Sequence, residues 1–343
     1  MNKRDKIIEY IYTQIKNKKW QLGDKILSEY ELADKFEVNK KTANVAVNTL
    51  VSRGILERGR GKSGTIVKNV VVYPKGVITY LGELQDFHKD IVVGAEKTAR
   101  AHDYAIQYVA PPVTHLGKLW EQLKAYNISG LLTSSYGTIA EELPFPVIHI
   151  DHNVPERSAY HTVNSDNFQA GKIITEYLLS MGHRNIVFID EYGFDPHMLN
   201  RGAGYVEAMT EAGIANSQDR VISASDTMLI AKRIKERFPM TTAIICDTDF
   251  GAVSMVKYLL EENIAIPKQM SIAGFGALTK FFPFYNVTSV EQNPQRMGAQ
   301  ACLRMIEMLE NDNEDIIRDE LPVELYIGNT CGLPCSNPVF KAK

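Results

Sequence analysis

The sequence predicts an α/β chain in two unlike parts: a small head of three helices and a hairpin, then a two-lobed body whose lobes are two doubly wound parallel sheets. Three observations predict it. Charge divides near residue 70, with 15 Lys and Arg against 8 Asp and Glu before that point and 23 against 33 after it. Apolar residues in the head recur at helical spacing, with capping signals between the runs. Beyond the head, short apolar runs alternate with helical patterns, as parallel strands covered on both faces require. The expected boundaries are a head over 1–70, a linker over 71–76, a body over 77–331 and a tail over 332–343.

In the head, Ile7, Ile8, Ile11 and Ile15 share one face of a helix over about 4–18, and Gly23-Asp24 marks the turn after it. Ser28 and Glu31 have the spacing of a capping box, opening a helix that buries Leu32, Ala33 and Phe36. Asn39 is a good N-cap for a third helix, which places Ala43, Ala46, Val47 and Leu50 inside and Lys40, Lys41, Thr42, Asn44 and Asn48 outside. Two short helices around a tight turn form a helix-turn-helix, and polar residues early in its second helix are placed to reach base edges in a major groove. Residues 55–58 and 65–67 flank Gly59-Arg60-Gly61-Lys62-Ser63-Gly64 as the two arms of a hairpin. Such a wing lays Arg60 or Lys62 against phosphates or into a minor groove. A basic head on an acidic body is the footprint of a partner such as double-stranded DNA.

In the body, strands are expected at 76–80, 104–110, 130–133, 146–151, 186–190, near 221, 243–247 and 271–275. Helices are expected at 88–102, 115–127, 167–181, 201–212, 227–237, 250–263 and 294–310. In such folds ligands bind at the carboxyl ends of the strands. Ser134, Ser135, Tyr136, Asp151, Asp247, Thr248 and Asp249 fall there, and hydroxyls with carboxylates suit a polyol, because each buried sugar hydroxyl needs a partner.

The head resembles the winged helix-turn-helix of the gluconate-repressor (GntR) family. The resemblance rests on Leu22-Gly23-Asp24-Lys25-Ile26, Ser28-Glu29-x-x-Leu32-Ala33, Val38, Thr42, Ala46, Leu50, Gly54-Ile55-Leu56 and Gly64-Thr65-x-Val67. It implies DNA binding by Ser28, Glu29, Asn39, Lys40, Lys41, Thr42, Asn44, Asn48 and the wing residues Arg60, Gly61, Lys62, Ser63 and Gly64. Two departures stand out: Leu27 replaces the usual Pro, and Asn39-Lys40 replaces Ser-Arg, keeping the charge without Arg's bidentate fork.

Residues 76–331 are similar to the effector domain of the lactose/galactose-repressor family. The carrying stretches are Val163 to Gly171, Leu178 to Ile186, Arg201-x-x-Gly204-Tyr205, Thr241 to Ala252, Ile266 to Phe275 and Thr288-Ser289-Val290-x-Gln292. This resemblance implies ligand contacts by Asp151, Arg201, Asp249 and Gln292, with Tyr80, Phe87 and His88 on an upper loop. Thr248 stands where the family has Asn, and Gly276 where it has Asp, so the cleft lacks one amide and one carboxylate of the usual set. Together the two resemblances imply a homodimeric, cytoplasmic repressor with a sugar effector, L-arabinose or another pentose. A nucleobase, a sugar phosphate or a corepressor remain open alternatives.

Other readings lose support. The N-terminal 20 residues are interrupted by Glu9, Gln14, Lys16 and Asn17, unlike a signal peptide, and no apolar run is long enough to span a bilayer. Gly171-Lys172 lacks the spacing of a phosphate loop, and Cys331 and Cys335 have no second ligand pair near them in sequence. No cofactor, no metal and no catalytic constellation is expected.

Overall fold

The structure, a computed structural model, describes the chain apart from residues 1, 60–63, 69–74, 85, 111–118, 120–122, 124–127, 135–142, 153–158, 192–195, 225, 279–285, 312–314, 337–338 and 341–343, and apart from the side chains of 86 and 196–199. Two compact units emerge, Met1–Ile78 with Ala99–Gln107 and Thr79–Thr98 with Tyr108–Lys343. Among the described residues no helix is long and apolar enough to cross a membrane.

The head contains α1 (Lys3–Lys16), α2 (Glu29–Lys35), α3 (Lys40–Ser52) and the strands β1 (Leu56–Arg58) and β2 (Thr65–Val67). Each helix starts where its capping residue stands. Asn2 accepts from the Asp5 amide, Asn39 accepts from the Thr42 amide, and Ser28 forms a reciprocal capping box with Glu31. Gly54, at φ 70°, turns the chain after α3, a conformation that costs glycine nothing. Ile7, Ile11, Leu32, Ala43, Ala46, Leu50 and Ile55 then close one core, and Leu56↔Val67 to Arg58↔Thr65 pair as an antiparallel hairpin.

The body holds two six-stranded sheets. The N-terminal lobe has β3 (Val77–Leu81), β4 (Ala105–Val109), β5 (Gly130–Thr133), β6 (Val147–Ile150), β7 (His161–Ser165) and β13 (Arg318–Leu321), in the order β13-β7-β6-β5-β3-β4. The C-terminal lobe has β8 (Ile186–Asp190), β9 (Val221–Ser223), β10 (Ala243–Cys246), β11 (Ser271–Phe275), β12 (Thr288–Glu291) and β14 (Glu324–Tyr326), in the order β14-β12-β11-β10-β8-β9. The chain passes between the lobes three times, after β7, after β12 and after β13.

The strands β7, β12, β13 and β14 carry no clear apolar run and were not expected from the sequence. They adjoin these crossings, and β14 adds an antiparallel edge to a sheet otherwise parallel. Of the helix expected at 115–127, only Leu119 and Leu123 are described, both buried against β3 and β5; the rest lies outside the described residues.

Each lobe packs one helix pair backbone to backbone. In the N-terminal lobe these are α4 (Asp86–Ala101) and a helix at Pro294–Asn311. In the C-terminal lobe they are α5 (Asn167–Ser180) and α6 (Pro196–Glu211). A Cβ added at Gly94 would lie 1.9 Å from the Gln295 carbonyl oxygen, and one at Gly298 1.9 Å from that of Ile91. The other pair repeats the arrangement, with Gly171 1.9 Å from the Arg201 oxygen and Gly204 2.0 Å from that of Phe168. Only glycine permits such approaches, so these four residues set the depth at which each helix sits. At the C-terminal end Phe340 is buried in the core of the C-terminal lobe.

Candidate functional site

In the head, the face of α3 away from the core carries Lys40, Lys41 and Asn48 exposed, with Thr42 and Asn44 half-buried. Asn39 and Ser28 act as caps, so part of their hydrogen-bonding capacity is already used. Asn48 donates to Asn44 at 2.7 Å and accepts from Arg58 at 2.7 Å, while Arg58 also binds Glu29 at 2.7 Å. Arg58 thus ties the wing to both helices of the helix-turn-helix, a role not anticipated from the sequence because its partners lie 10 and 29 residues away. Lys40 stacks its ammonium 3.8 Å from the Tyr30 ring centroid. Arg60, Gly61, Lys62 and Ser63 lie outside the described residues. Gly64 accepts from the Gly59 amide at 2.7 Å and closes the base of the wing.

In the C-terminal lobe, Arg201 projects from α6 and is 4% exposed. Its Nε donates to Asn167 Oδ1 and its Nη1 to the Asp247 carbonyl, both at 2.7 Å, and its guanidinium lies 5.0 Å from the Phe275 ring centroid. The Gly171 and Gly204 contacts hold α6 at the depth that delivers this side chain. Thr248 caps the helix α7 (Asp249–Glu261): its hydroxyl accepts from the Gly251 amide and donates to Glu191 Oε2, each at 3.0 Å. Asp249 is fully buried and accepts from Ser289 Oγ and the Leu278 amide, both at 2.7 Å. Gly276 turns at φ 118° directly after β11.

Asp247, one of the polar residues expected at a strand end, and Glu191, not anticipated from the sequence, complete this face. Asp247 is fully buried after β10, and its Oδ2 accepts from the Glu191 amide at 2.8 Å. Burial pushes the Asp247 carboxyl up to about 7; the Glu191 and Asp190 charges act the same way, against the Glu191 amide bond and Arg201. Burial also raises Glu191, opposed by the Thr248 hydroxyl, and raises Asp249, opposed by its bonds to Ser289 and Leu278 and by Arg201. The strand order changes direction between β8 and β10, so Glu191 and Asp247 flank a topological switch point, the place where open α/β sheets bind ligands.

The N-terminal lobe has its own switch point, between β3 and β5, and Tyr80 and Ser134 meet there through their hydroxyls. Tyr80 is buried and stacks on Tyr108 at 6.2 Å. Asp151, directly after β6, has φ 50° and a buried Oδ1 with no hydrogen-bond partner among the described residues. His88, edge-on to Phe87 at 5.8 Å, is lowered by burial while Asp151 and Glu83 pull it up. Tyr136 lies outside the described residues. Gln292 stands apart from the strand ends: it sits at the second crossing and donates to Ser165 Oγ at the first, 3.4 Å away. Asn167, not among the sequence-based candidates, joins that crossing to Arg201 through bonds to the Ser165 carbonyl and to Arg201 Nε.

A head built for a DNA groove and a body with polar groups at two switch points define a ligand-responsive transcription regulator. The chain joins a gntR-family regulatory domain to a periplasmic binding protein-like domain: residues 3–67 match the model described as bacterial regulatory proteins, gntR family, and residues 175–331 that of the periplasmic binding protein-like domain. It is 24% identical over 327 residues to the arabinose metabolism transcriptional repressor of Halalkalibacterium halodurans, covering 85% of each chain. To the protein of the same name from Geobacillus stearothermophilus it is 26% identical over 332 residues, covering 86% of this chain and 88% of that one. Among solved structures, a complex of the transcriptional regulator CelR with cellobiose has the same fold, with TM-score 0.65 at 17% identity over 85% of this chain and 91% of the other.

Proposed function

We propose that this chain is a cytoplasmic, sugar-responsive repressor: a homodimer that binds a pseudo-palindromic DNA operator through α3 and the wing and releases it when a sugar closes the body. L-arabinose or another pentose is the effector this reading favours, in line with the names of the two relatives that align over most of the chain. One observation carries the reading: Arg201, nearly buried, is delivered by the Gly171 and Gly204 packing to the ends of strands that carry carboxylates, in a chain that begins with a DNA-binding head. The site residues are Tyr80, Phe87, His88, Ser134, Tyr136, Asp151, Arg201, Thr248, Asp249, Gly276 and Gln292 for the effector. For DNA they are Ser28, Glu29, Asn39, Lys40, Lys41, Thr42, Asn44, Asn48 and Arg60 to Gly64.

One head covers one half-site, so a palindromic operator requires two copies. The helix α7 offers a face for the second copy: Val253, Val256 and Leu260 line a 370 Å³ groove beside Lys257 and Glu261, whose opposite charges pair when two such helices meet antiparallel about a twofold axis. Lys257→Glu disrupts that pairing and Lys257→Glu with Glu261→Lys restores it, read as molar mass by light scattering.

Fluorescence anisotropy of a labelled duplex from the gene's own upstream region tests the function. Tight, salt-sensitive binding released by a neutral pentose supports the reading; binding that no sugar in a panel of pentoses, hexoses and their phosphates disturbs refutes the sugar effector and leaves the head as a DNA-binding domain.

A further inference from the structure

Asp247 and Asp249 stand two residues apart, both fully buried, and differ in one respect. Both oxygens of Asp249 are engaged, by Ser289 and Leu278. Only Oδ2 of Asp247 is; its Oδ1 is buried with no hydrogen-bond partner among the described residues. A buried acceptor left unmatched is destabilising, so folding alone does not account for an acid there. The unmatched oxygen belongs to the residue that follows β10, at the switch point with β8, the place where open α/β sheets bind ligands.

The charge around it narrows the ligand. Asp190 and Glu191 at the end of β8 act on Asp247, while the Arg201 guanidinium acts on Asp247 and on Asp249 at the start of α7. Arg201 already donates to Asn167 and to the Asp247 carbonyl. The Cys246 thiol, buried and raised well above its ordinary value, brings no positive charge. A phosphate or carboxylate brought here meets like charge in a poorly solvated place, where repulsion is strong; a hydroxyl brings a donor and no charge.

We propose that Asp247 sets the chemistry of the effector: its Oδ1 accepts a hydrogen bond from a hydroxyl of a neutral polyol, and the carboxyl groups around it exclude ligands carrying a phosphate or carboxylate. The proposal rests on the sugar-effector reading above and assigns it a residue and a selectivity. A hydroxyl donor favours the ionised form of Asp247, so binding at neutral pH expels part of a proton.

The test is calorimetric titration of the full chain and its Asp247→Ala and Asp247→Asn variants with L-arabinose, D-ribose and D-xylose and with the 5-phosphates of the first two, in two buffers of different ionisation enthalpy. Asn keeps an oxygen for the Glu191 amide and turns its NH2 toward the ligand. The expected result is a neutral pentose that binds the natural protein at least 100-fold more tightly than its phosphate, an at least tenfold loss in Asp247→Ala, and proton release that disappears in Asp247→Asn. Equal affinity for sugar and phosphate, or unchanged sugar affinity in both variants, overturns the proposal while the sugar reading stands. If no sugar of the panel binds the natural protein, the pentose reading falls and this proposal with it. The sugar-to-phosphate comparison needs no variant, so it decides the exclusion even if a substitution impairs folding.

Discussion

The two lobes lock their helices with the same reciprocal glycines and then place opposite chemistry at their switch points. In the N-terminal lobe, Gly94 and Gly298 bring two helices together, and the hydroxyls of Tyr80 and Ser134 satisfy each other across β3 and β5. In the C-terminal lobe, Gly171 and Gly204 do the same for α5 and α6, but the ends of β8 and β10 carry Glu191 and Asp247, with Arg201 donating to the Asp247 carbonyl. The difference teaches where selectivity resides. A neutral hydroxyl pair tolerates many polar ligands, whereas buried carboxylates around one guanidinium discriminate by charge and by donor count.

Substitutions at equivalent places sharpen that contrast. The largest effect is expected at Arg201: Arg201→Ala removes the positive charge that acts on Asp247 and Asp249 and lowers sugar affinity at least 100-fold, about 3 kcal/mol, measured by calorimetry. Gln295→Ala in the other lobe, which removes a bond to Asp90, changes it less than threefold. Equal losses at the two positions would erase the distinction between the lobes.

Next in size are the glycines. Gly171→Ala and Gly94→Ala each drive a methyl group into a backbone carbonyl and lower thermal stability by about 1–3 kcal/mol. Only Gly171→Ala also weakens the effector, because only that contact seats the helix bearing Arg201. Sugar titrations of both variants at a temperature where they remain folded check this.

A pH series gives a smaller effect of defined sign. Folded Asp247 keeps its proton up to about pH 7, whereas an unfolded aspartate releases it near 3.8. The folded state therefore binds more protons in that window, and this group's contribution to stability falls as pH rises, by up to about 1.4 kcal/mol per pH unit. Asp247→Asn removes the dependence, so its melting temperature gains on the natural protein as pH goes from 5 to 8. A constant difference across that range would mean that Asp247 is not held protonated.

The smallest effect belongs to the head. Ser28→Ala removes one half of the capping box and costs about 1 kcal/mol, seen as a small shift in the head's unfolding with no change in sugar affinity.

What the sequence revealed tracks the distance between partners. The caps of the head join residues three apart, Ser28 with Glu31 and Asn39 with Thr42, and such signals are readable directly. Arg201 was readable through the resemblance of Arg201-x-x-Gly204-Tyr205 to the repressor effector domains, and Thr248 through its place after a strand. Glu191 passed without notice since its partner Asp247 is 56 positions away, and Asn167 since Arg201 is 34 away. The strands β7, β12, β13 and β14 were hidden for a related reason: they sit at the crossings between lobes, where polar residues such as Asn164 and Ser165 interrupt the apolar pattern.

The most direct test of the whole account is thermodynamic reciprocity between the cleft and the head. The affinity of the full chain for L-arabinose, or for whichever neutral pentose binds it best, is measured by calorimetry with and without saturating operator duplex. If the body controls the head, the operator weakens the sugar by the same factor, roughly 5–150-fold for ordinary coupling, by which the sugar weakens the operator. Equal sugar affinity in the two conditions would contradict it, separating the cleft from the DNA-binding head.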